Sequence, residues 1–277
     1  MTDVEKWCPE PLWLLAYPLL PDAPQRHQGG GRRRLDDRAV LAAILYVLQT
    51  GCAWSALPAS FGVSAATAHR RFSEWVEAEV FARLHQQVLD LLGSAGAIDW
   101  SPASVDAMQV RAGKRGDLTG PSPVDRGKPG SKIHAMSERD GLPLAVVISA
   151  ANRNDHLSFE AVVDAVAPVA GPLGRPRRRP HKLHADKGYD YPACWKVLRA
   201  RGIVARIARR GIESAKRLGR YRYVIERTLE WVSRFRRLAR RYERKAAHFL
   251  SFAQLACAMI CYRRAIKLDL LAHNNPK

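Results

Sequence analysis

The sequence predicts a mixed α/β sheet flanked by helices and preceded by a small all-α domain, on three observations. Up to residue 95 the apolar residues recur at helical spacing. Beyond the small-residue stretch GSAGA (93–97) the period shortens to that of strands. From there the order reads β-β-β-α-β-α-β-α, with a hairpin near the front, so the sheet is mixed rather than purely parallel.

The chain has 277 residues, room for about two domains at ~100–200 residues each. Hydrophobic residues make up 47% and charged residues 26%, which excludes a disordered chain. The net charge of +19 points to a polyanionic partner, nucleic acid above all. A structural nucleic-acid protein would carry the same excess, so charge alone leaves the class open. Cys8, Cys52, Cys194, Cys257 and Cys261 form no CxxC pair. Asp3 and Glu5 stand where a signal peptide would be basic. The apolar stretch Ala246–Tyr262 is interrupted by His248, Ser251 and Gln254 and is shorter than the ~20 residues of a membrane span. The expectation is a reduced, soluble, cytoplasmic (nucleoid-associated) protein with no membrane partner.

Taken in order, residues 1–20 read as one short helix with Trp7, Trp13 and Tyr17. Pro21 to Arg34 is a Pro/Gly-rich link ending in Arg32, Arg33 and Arg34, either a solvated linker or a basic arm lying along a DNA groove. A helix follows from Asp36–Asp37 to the stop at Gly51. WSALPASFG suggests a short helix closed by Gly62, and Ser64 caps the next helix, with Val63, Ala66, His69, Phe72 and Trp75 at helical spacing. This resembles a helix-turn-helix, with Ser64, Thr67, His69, Arg70 and Arg71 on or beside the recognition helix. Bundles that bind no DNA look similar. Phe81–Leu92 is a further helix.

In the second part, Ala97–Trp100 and Ser104–Val110 read as strand. Residues 111–131 are a basic Gly/Pro-rich loop with Arg111, Lys114, Arg115 and Lys128. Lys132–Ser137 and Leu142–Ala150 form a hairpin around Asp140–Gly141. Then come a helix over Asp155–Val166, a basic loop over 172–182, a strand over 183–186, a helix over Tyr191–Arg201 and a strand over Ile203–Ala208. A long helix over Tyr221–Arg244 is free of Gly and Pro, and Ala246–Tyr262 reads as a buried helix after it. Ile225, Leu229, Val232, Phe235, Ala239 and Tyr242 line one face, and Arg222, Glu226, Ser233, Arg237 and Arg240 an adjoining one.

Glu226 has two readings. Paired with Arg222 it is an intrahelical salt bridge, worth about 0.2–0.5 kcal/mol. Alternatively it is a metal-binding acid framed by cations that grip a polyanion. Asp106 lies inside the strand SVDAMQV and Asp186 ends LHAD, and an aspartate among apolar strand neighbours is costly unless something positive meets it. If both strands are central, the two acids can bridge a metal and Glu226 can complete the set. Hard oxygen donors suit Mg²⁺ or Mn²⁺, and two ions about 3.5–4 Å apart serve phosphodiester chemistry. Against this stand a turn aspartate before Lys187–Gly188 and a strand aspartate paired with arginine. His134 and His184 read as core histidines, though His134, close to Lys132, could touch a phosphate. Trp195 and Trp231 read as core or as stacking platforms.

The segments VDAMQVRAGKRG, TGPSPVDRGKPGSKIHA, GLPLAVVISAANRND, GRPRRRPHKLHADKGYD and RYRYVIERTLEWVSRFRRLARRYE, in this order, resemble the DDE transposases of bacterial insertion sequences, nearest the IS-five-like branch of the IS-four/IS-five superfamily. ILYVLQTGCAWSALPASFG followed by AHRRFSEW resembles their first, helical domain. The resemblance covers roughly residues 10–264. It implies an RNase H-like catalytic core with metal-binding acids on the first strand, the fourth strand and a late helix, here Asp106, Asp186 and Glu226. Two departures stand out. Gly219 and Ser233 replace a tyrosine three before Arg222 and a lysine seven after Glu226, so Arg234 or Arg237 would supply the lost cation. Ala107 follows Asp106, where relatives often have Ser or Thr.

The resemblance implies a DNA transposase that binds terminal inverted repeats, hydrolyses at the element ends with two Mg²⁺ ions and joins the 3′-OH to target DNA, as a homodimer or larger assembly. Residues 1–95 would form the DNA-binding domain, 96–264 the catalytic domain and 265–277 a tail. Phosphate contacts would come from the basic loops, including Lys132 and Lys187, and from the arginines of 234–244. The alternatives are a metal-dependent endonuclease without strand transfer and a catalytically disabled DNA-binding regulator.

Overall fold

A computed structural model describes residues 1–22, 34–209 and 215–271, with residues 215–222 described by backbone alone. Arg32 and Arg33 lie outside the described residues, as do the side chains of Arg222 and Gly219's neighbours up to that point. The first segment forms two helices where one was expected: α1 (Asp3–Trp7) and α2 (Glu10–Ala16), followed by a 3₁₀ turn at Tyr17–Leu19. Pro9 and Pro11 account for the break, since a proline inside a helix removes a hydrogen bond and clashes with the preceding turn. Thr2 and Glu5 cap α1 reciprocally, each side chain accepting from the other's backbone N–H.

Helix α3 (Asp37–Thr50) starts at the Asp36 cap and ends at Gly51, whose φ of +70° is the left-handed stop a glycine permits. Two 3₁₀ turns, Trp54–Ala56 and Ala59–Phe61, replace the expected short helix, with Pro58 between them, and Gly62 closes the second at φ +65°. Helices α4 (Ala65–Glu77) and α5 (Val80–Ser94) follow, Ser64 capping α4 through Thr67 N–H at 3.2 Å.

The sheet contains β1 (Pro102–Ala112), β2 (Gly120–Pro121), β3 (Pro129–Glu138), β4 (Pro143–Ala150), β5 (Lys182–Ala185), β6 (Val204–Ile207) and β7 (Arg240–Arg241). The five longer strands run β4-β3-β1-β5-β6, antiparallel across β4, β3 and β1 and parallel from β1 to β6. That is an RNase H-like sheet. Residues 97–100, expected as strand, are irregular; the Asp99 carboxylate accepts from Ser101 N–H at 2.7 Å, a local turn that competes with pairing. Helix α6 (Phe159–Asp164) follows a 3₁₀ turn at Asp155–Ser158, and α7 (Pro192–Ala200) links β5 to β6.

The expected helix Tyr221–Arg244 is broken. Helix α8 (Ala215–Ser233) stops, α9 (Arg236–Ala239) makes one turn, and β7 pairs in parallel with Arg111 and Ala112 of β1. The cause is tertiary. Arg241 is fully buried, and its guanidinium donates to the carbonyls of Glu243, Leu118 and Arg244 and to Ser131 Oγ. Arg237 and Arg240 therefore do not share a helical face with Glu226.

Helix α10 (Ala246–Lys267) runs past the expected boundary at 264 and is longer than the apolar stretch suggested. By length and composition it could cross a membrane, but it is mostly buried inside the fold. It packs on α5 and β4 and stacks Phe252 on Phe72 of α4, ring centroids 4.4 Å apart. One apolar core therefore runs from Cys8 to Ala265. The helical layer and the sheet share it, so the expected division at residue 95 cuts through a common core.

Candidate active site

β1 and β5 lie parallel with Pro102 beside Lys182, Ala103 beside Leu183 and Ser104 beside His184. Carried two residues further, this register sets Asp106 beside Asp186, and parallel partners point to the same face. Asp106 also sits opposite Ala135 of β3, and Ala135 packs with Ile225 and Leu229 of α8. The aspartates thus share the face that α8 covers. Asp186 is held in an extended conformation, with Oδ1 accepting from Gly188 N–H at 2.8 Å. A Cβ on Gly188 would stand 2.9 Å from that oxygen, so the carboxylate's position depends on a glycine there. Asp106 Oδ1 accepts from Ala107 N–H at 2.7 Å.

Sequence reasoning missed two neighbours. Tyr189 is buried against Phe159, 5.4 Å between rings, and its hydroxyl has no hydrogen-bond partner. Burial, and then the charges of Asp106, Asp155 and Asp186, hold that hydroxyl well above the usual tyrosine range. Asp155 also pairs with buried Lys132 at 2.9 Å, and Lys132 donates to the Arg153 carbonyl at 2.9 Å. The available signal was the acid in NRND just after β4, which reads equally as a helix-opening aspartate.

Asp106 and Asp186 offer oxygen donors on one face, the chemistry that suits a hard divalent cation. Glu226 is exposed on α8. Among the described residues no three His, Cys, Asp or Glu side chains are gathered closely enough to hold an ion, so the structure brings together the two aspartates but not the full trio.

The cations expected to contact DNA divide into two groups. Ser64, Arg70, Arg111, Lys114, Arg115, Lys128, Lys187 and Arg234 are exposed, and Thr67 is half-buried. Four others are internal, a correction to the sequence expectation. Arg71 is buried, bonded to Glu74 at 2.9 Å and facing Asp37 at 3.7 Å. Lys132 serves Asp155, as above. His134 is fully buried, with Nε2 against Ser149 Oγ at 2.8 Å, and burial pushes it down to about 4. Arg237 is buried, bonded to Glu243 and to the Cys52 carbonyl, each at 2.7 Å. Each lies on an inward-facing position where an unpaired charge would be costly, so a partner was built in. Arg34 binds Asp37 at 2.9 Å beside the start of α3. Of the two candidates for the missing cation, Arg234 alone remains exposed, paired with Glu230 at 2.7 Å. His69 and Lys114 both line a cavity of about 600 Å³ with Trp54, Tyr242 and His248, so α4 and the basic loop after β1 border one cleft.

Residues 9–85 match the family described as a putative transposase of the IS4/5 family, and residues 93–261 match the transposase DDE domain. The chain is 42% identical over 151 residues to a putative transposase for insertion sequence element IS402 of Burkholderia cepacia, covering 54% of this chain and 72% of that protein. It is 43% identical over 114 residues to an IS402 uncharacterized 16.2 kDa protein of the same organism, covering 40% and 78%. Among solved structures, the Mos1 mariner paired end complex with Mn aligns at 11% identity and a TM-score of 0.26, over 86% of this chain and 82% of that one. A pre-cleavage Mos1 transpososome aligns at 11% identity and 0.27, over 88% and 82%.

Proposed function

The chain belongs to the transposase DDE domain family, and from that premise we propose that Asp106, Asp186 and Glu226 are its metal-binding acids. The protein is a DNA transposase, an enzyme that cleaves and transfers DNA strands with a divalent metal. The observation that supports the site assignment is the parallel register of β1 and β5, Ser104 beside His184, which two residues further on would bring Asp106 level with Asp186.

We assign the third ligand to Glu226 of α8 and the metal to two Mg²⁺ ions, with Mn²⁺ as a substitute. Held there, they would supply activation of the attacking oxygen and offset of charge on the leaving one. The chain's own part is to hold the carboxylates. Gly188 N–H fixes Asp186, and the β1–β3 ladder fixes Asp106. The exposed cations of the loop after β1, together with Lys187 and Arg234, hold phosphates without reading sequence. Ser64, Thr67 and Arg70 on α4 read the terminal inverted repeat. Two ends must be held together for joining, so the working form is a homodimer or larger assembly.

The test uses a pre-cleaved terminal-repeat end with a free 3′-OH, Mg²⁺ and a target plasmid. Joined product is expected. Degradation at many positions with no joined product would favour a plain endonuclease.

A further inference from the structure

On the far side of α8 from Leu229, a second cleft opens between α8 and the C-terminal half of α10. Its volume is about 600 Å³, and its lining includes Arg227, Trp231 and Arg234 of α8 with Arg263, Arg264 and Lys267 of α10. Among the described residues its lining holds five cations and one carboxylate, Asp140, and Arg234 also pairs with Glu230 beside it at 2.7 Å. Two of the guanidiniums present an Nε–H that is buried and has no hydrogen-bond partner, those of Arg227 and Arg264. Arg227 is positioned rather than mobile: it donates to the Asp140 carbonyl at 2.7 Å and lies 5.0 Å over the Trp231 ring.

Such a cluster is costly to assemble unless an anion meets it, because like charges repel. A helix C-terminus favours a cation in its last turn, which accounts for Arg264 or Lys267 singly. It does not account for three cations on α10 facing two more on α8. Guanidiniums that line a groove can hold phosphate oxygens.

We propose that this cleft binds the phosphodiester backbone of target DNA, a duplex distinct from the terminal repeat. The inference rests on the transposase reading above and adds a second DNA track to it. Its placement argues for a separate duplex. His248, which borders the α4 cleft, and Arg264 are sixteen positions apart on one helix, about 24 Å at 1.5 Å per residue. The cleft also lies across α8 from the face that carries the aspartates. A duplex seated here approaches the active site from the side opposite the one α4 serves.

The test is the double variant Arg263→Ala/Arg264→Ala in the full chain, with Lys267→Glu as a second variant at an exposed position where folding is not at stake. Two readouts are taken. The first is the salt dependence of binding to a random-sequence duplex, where each lost phosphate contact lowers the log–log slope by about 0.9. The second is strand transfer of a pre-cleaved end into plasmid. Both variants are expected to lower the slope by about one or more and to cut joining at least tenfold, while terminal-repeat binding and end cleavage stay at wild-type levels. An unchanged slope and unchanged joining would overturn the proposal. So would an equal loss of terminal-repeat binding, which would assign the cleft to the element's end. If the wild-type protein joined nothing at all, the transposase reading would fail, and the slope measurement would still decide whether the cleft holds phosphate.

Discussion

Lys132 and Asp155 form an ion pair of 2.9 Å in which the lysine is buried, its side chain only 8% exposed, and the aspartate is about one-third exposed at 34%. The pair anchors the loop after β4 against β3. Asp155→Ala removes the acceptor and leaves the ammonium with the Arg153 carbonyl alone. A loss of about 1–3 kcal/mol is expected, the cost of a buried donor short of its partner, whereas an exposed pair would cost about 0–1. Urea denaturation of wild type and variant checks this, and equal midpoints would show the pair to be dispensable.

Gly188→Ala tests the support of Asp186. The added Cβ would press on the carboxylate oxygen at 2.9 Å, and no unusual backbone angle is in the way. The carboxylate should shift, with end cleavage falling at least tenfold, or more than ~1.4 kcal/mol in barrier, while the thermal midpoint and terminal-repeat binding hold. Wild-type cleavage would mean that Asp186 does not need that position.

Adjacent arginines on α4 should separate cleanly. Arg70 is exposed and Arg71 is buried between Asp37 and Glu74. Arg70→Ala should weaken terminal-repeat binding without changing stability. Arg71→Ala should lower stability by a few kcal/mol, on the order expected when one partner of a buried pair is removed. The reverse pattern in a gel-shift and melting comparison would restore Arg71 as a DNA contact.

Much of the helical layer was legible because its signals are local. Asp36, Ser64, Gly51 and Gly62 act as caps or stops through groups within a few residues. The strand pattern and the aspartate-bearing strands were legible for the same reason, since alternation and an acid among apolar residues both show in sequence. The break after Ser233 was not. No Gly or Pro marks it, and the force that makes it is the burial of Arg241 against Leu118 and Ser131, far off in sequence. The inward turn of Arg71, Lys132 and Arg237 was hidden similarly, because each partner's position depends on packing. The shared core went unseen because Phe72 and Phe252 meet only once α10 folds back.

Acid should destabilise the protein through its buried histidines. Burial pushes His85 and His134 down to about 4, against about 6.5 in an unfolded chain. The folded state binds fewer protons in that window, so their contribution is full above about 6.5 and is lost as pH falls toward 4. Burial pushes Glu138 up to about 7, which acts the other way: its contribution is full below about 4.5 and lost as pH rises through 7. With His184, which burial also pushes down to about 4, three histidines against one glutamate leave a net loss on acidification. In urea midpoints at pH 7 and pH 5, His85→Gln should flatten the loss and Glu138→Gln should steepen it. Identical slopes in all three proteins would contradict these assignments.

The assignment of the three acids is tested most directly by the cleavage rate of a labelled terminal-repeat duplex in Mg²⁺. Asp106→Asn, Asp186→Asn and Glu226→Gln should each lose several kcal/mol of barrier lowering, at ~1.4 per tenfold in rate, while still binding the duplex. Glutamine's helix propensity is close to glutamate's, so α8 should survive the change. Glu230→Gln, one turn along α8, serves as the control and should cleave at nearly the wild-type rate. If Glu226→Gln cleaved like wild type while Glu230→Gln did not, Glu226 would not be the third acid.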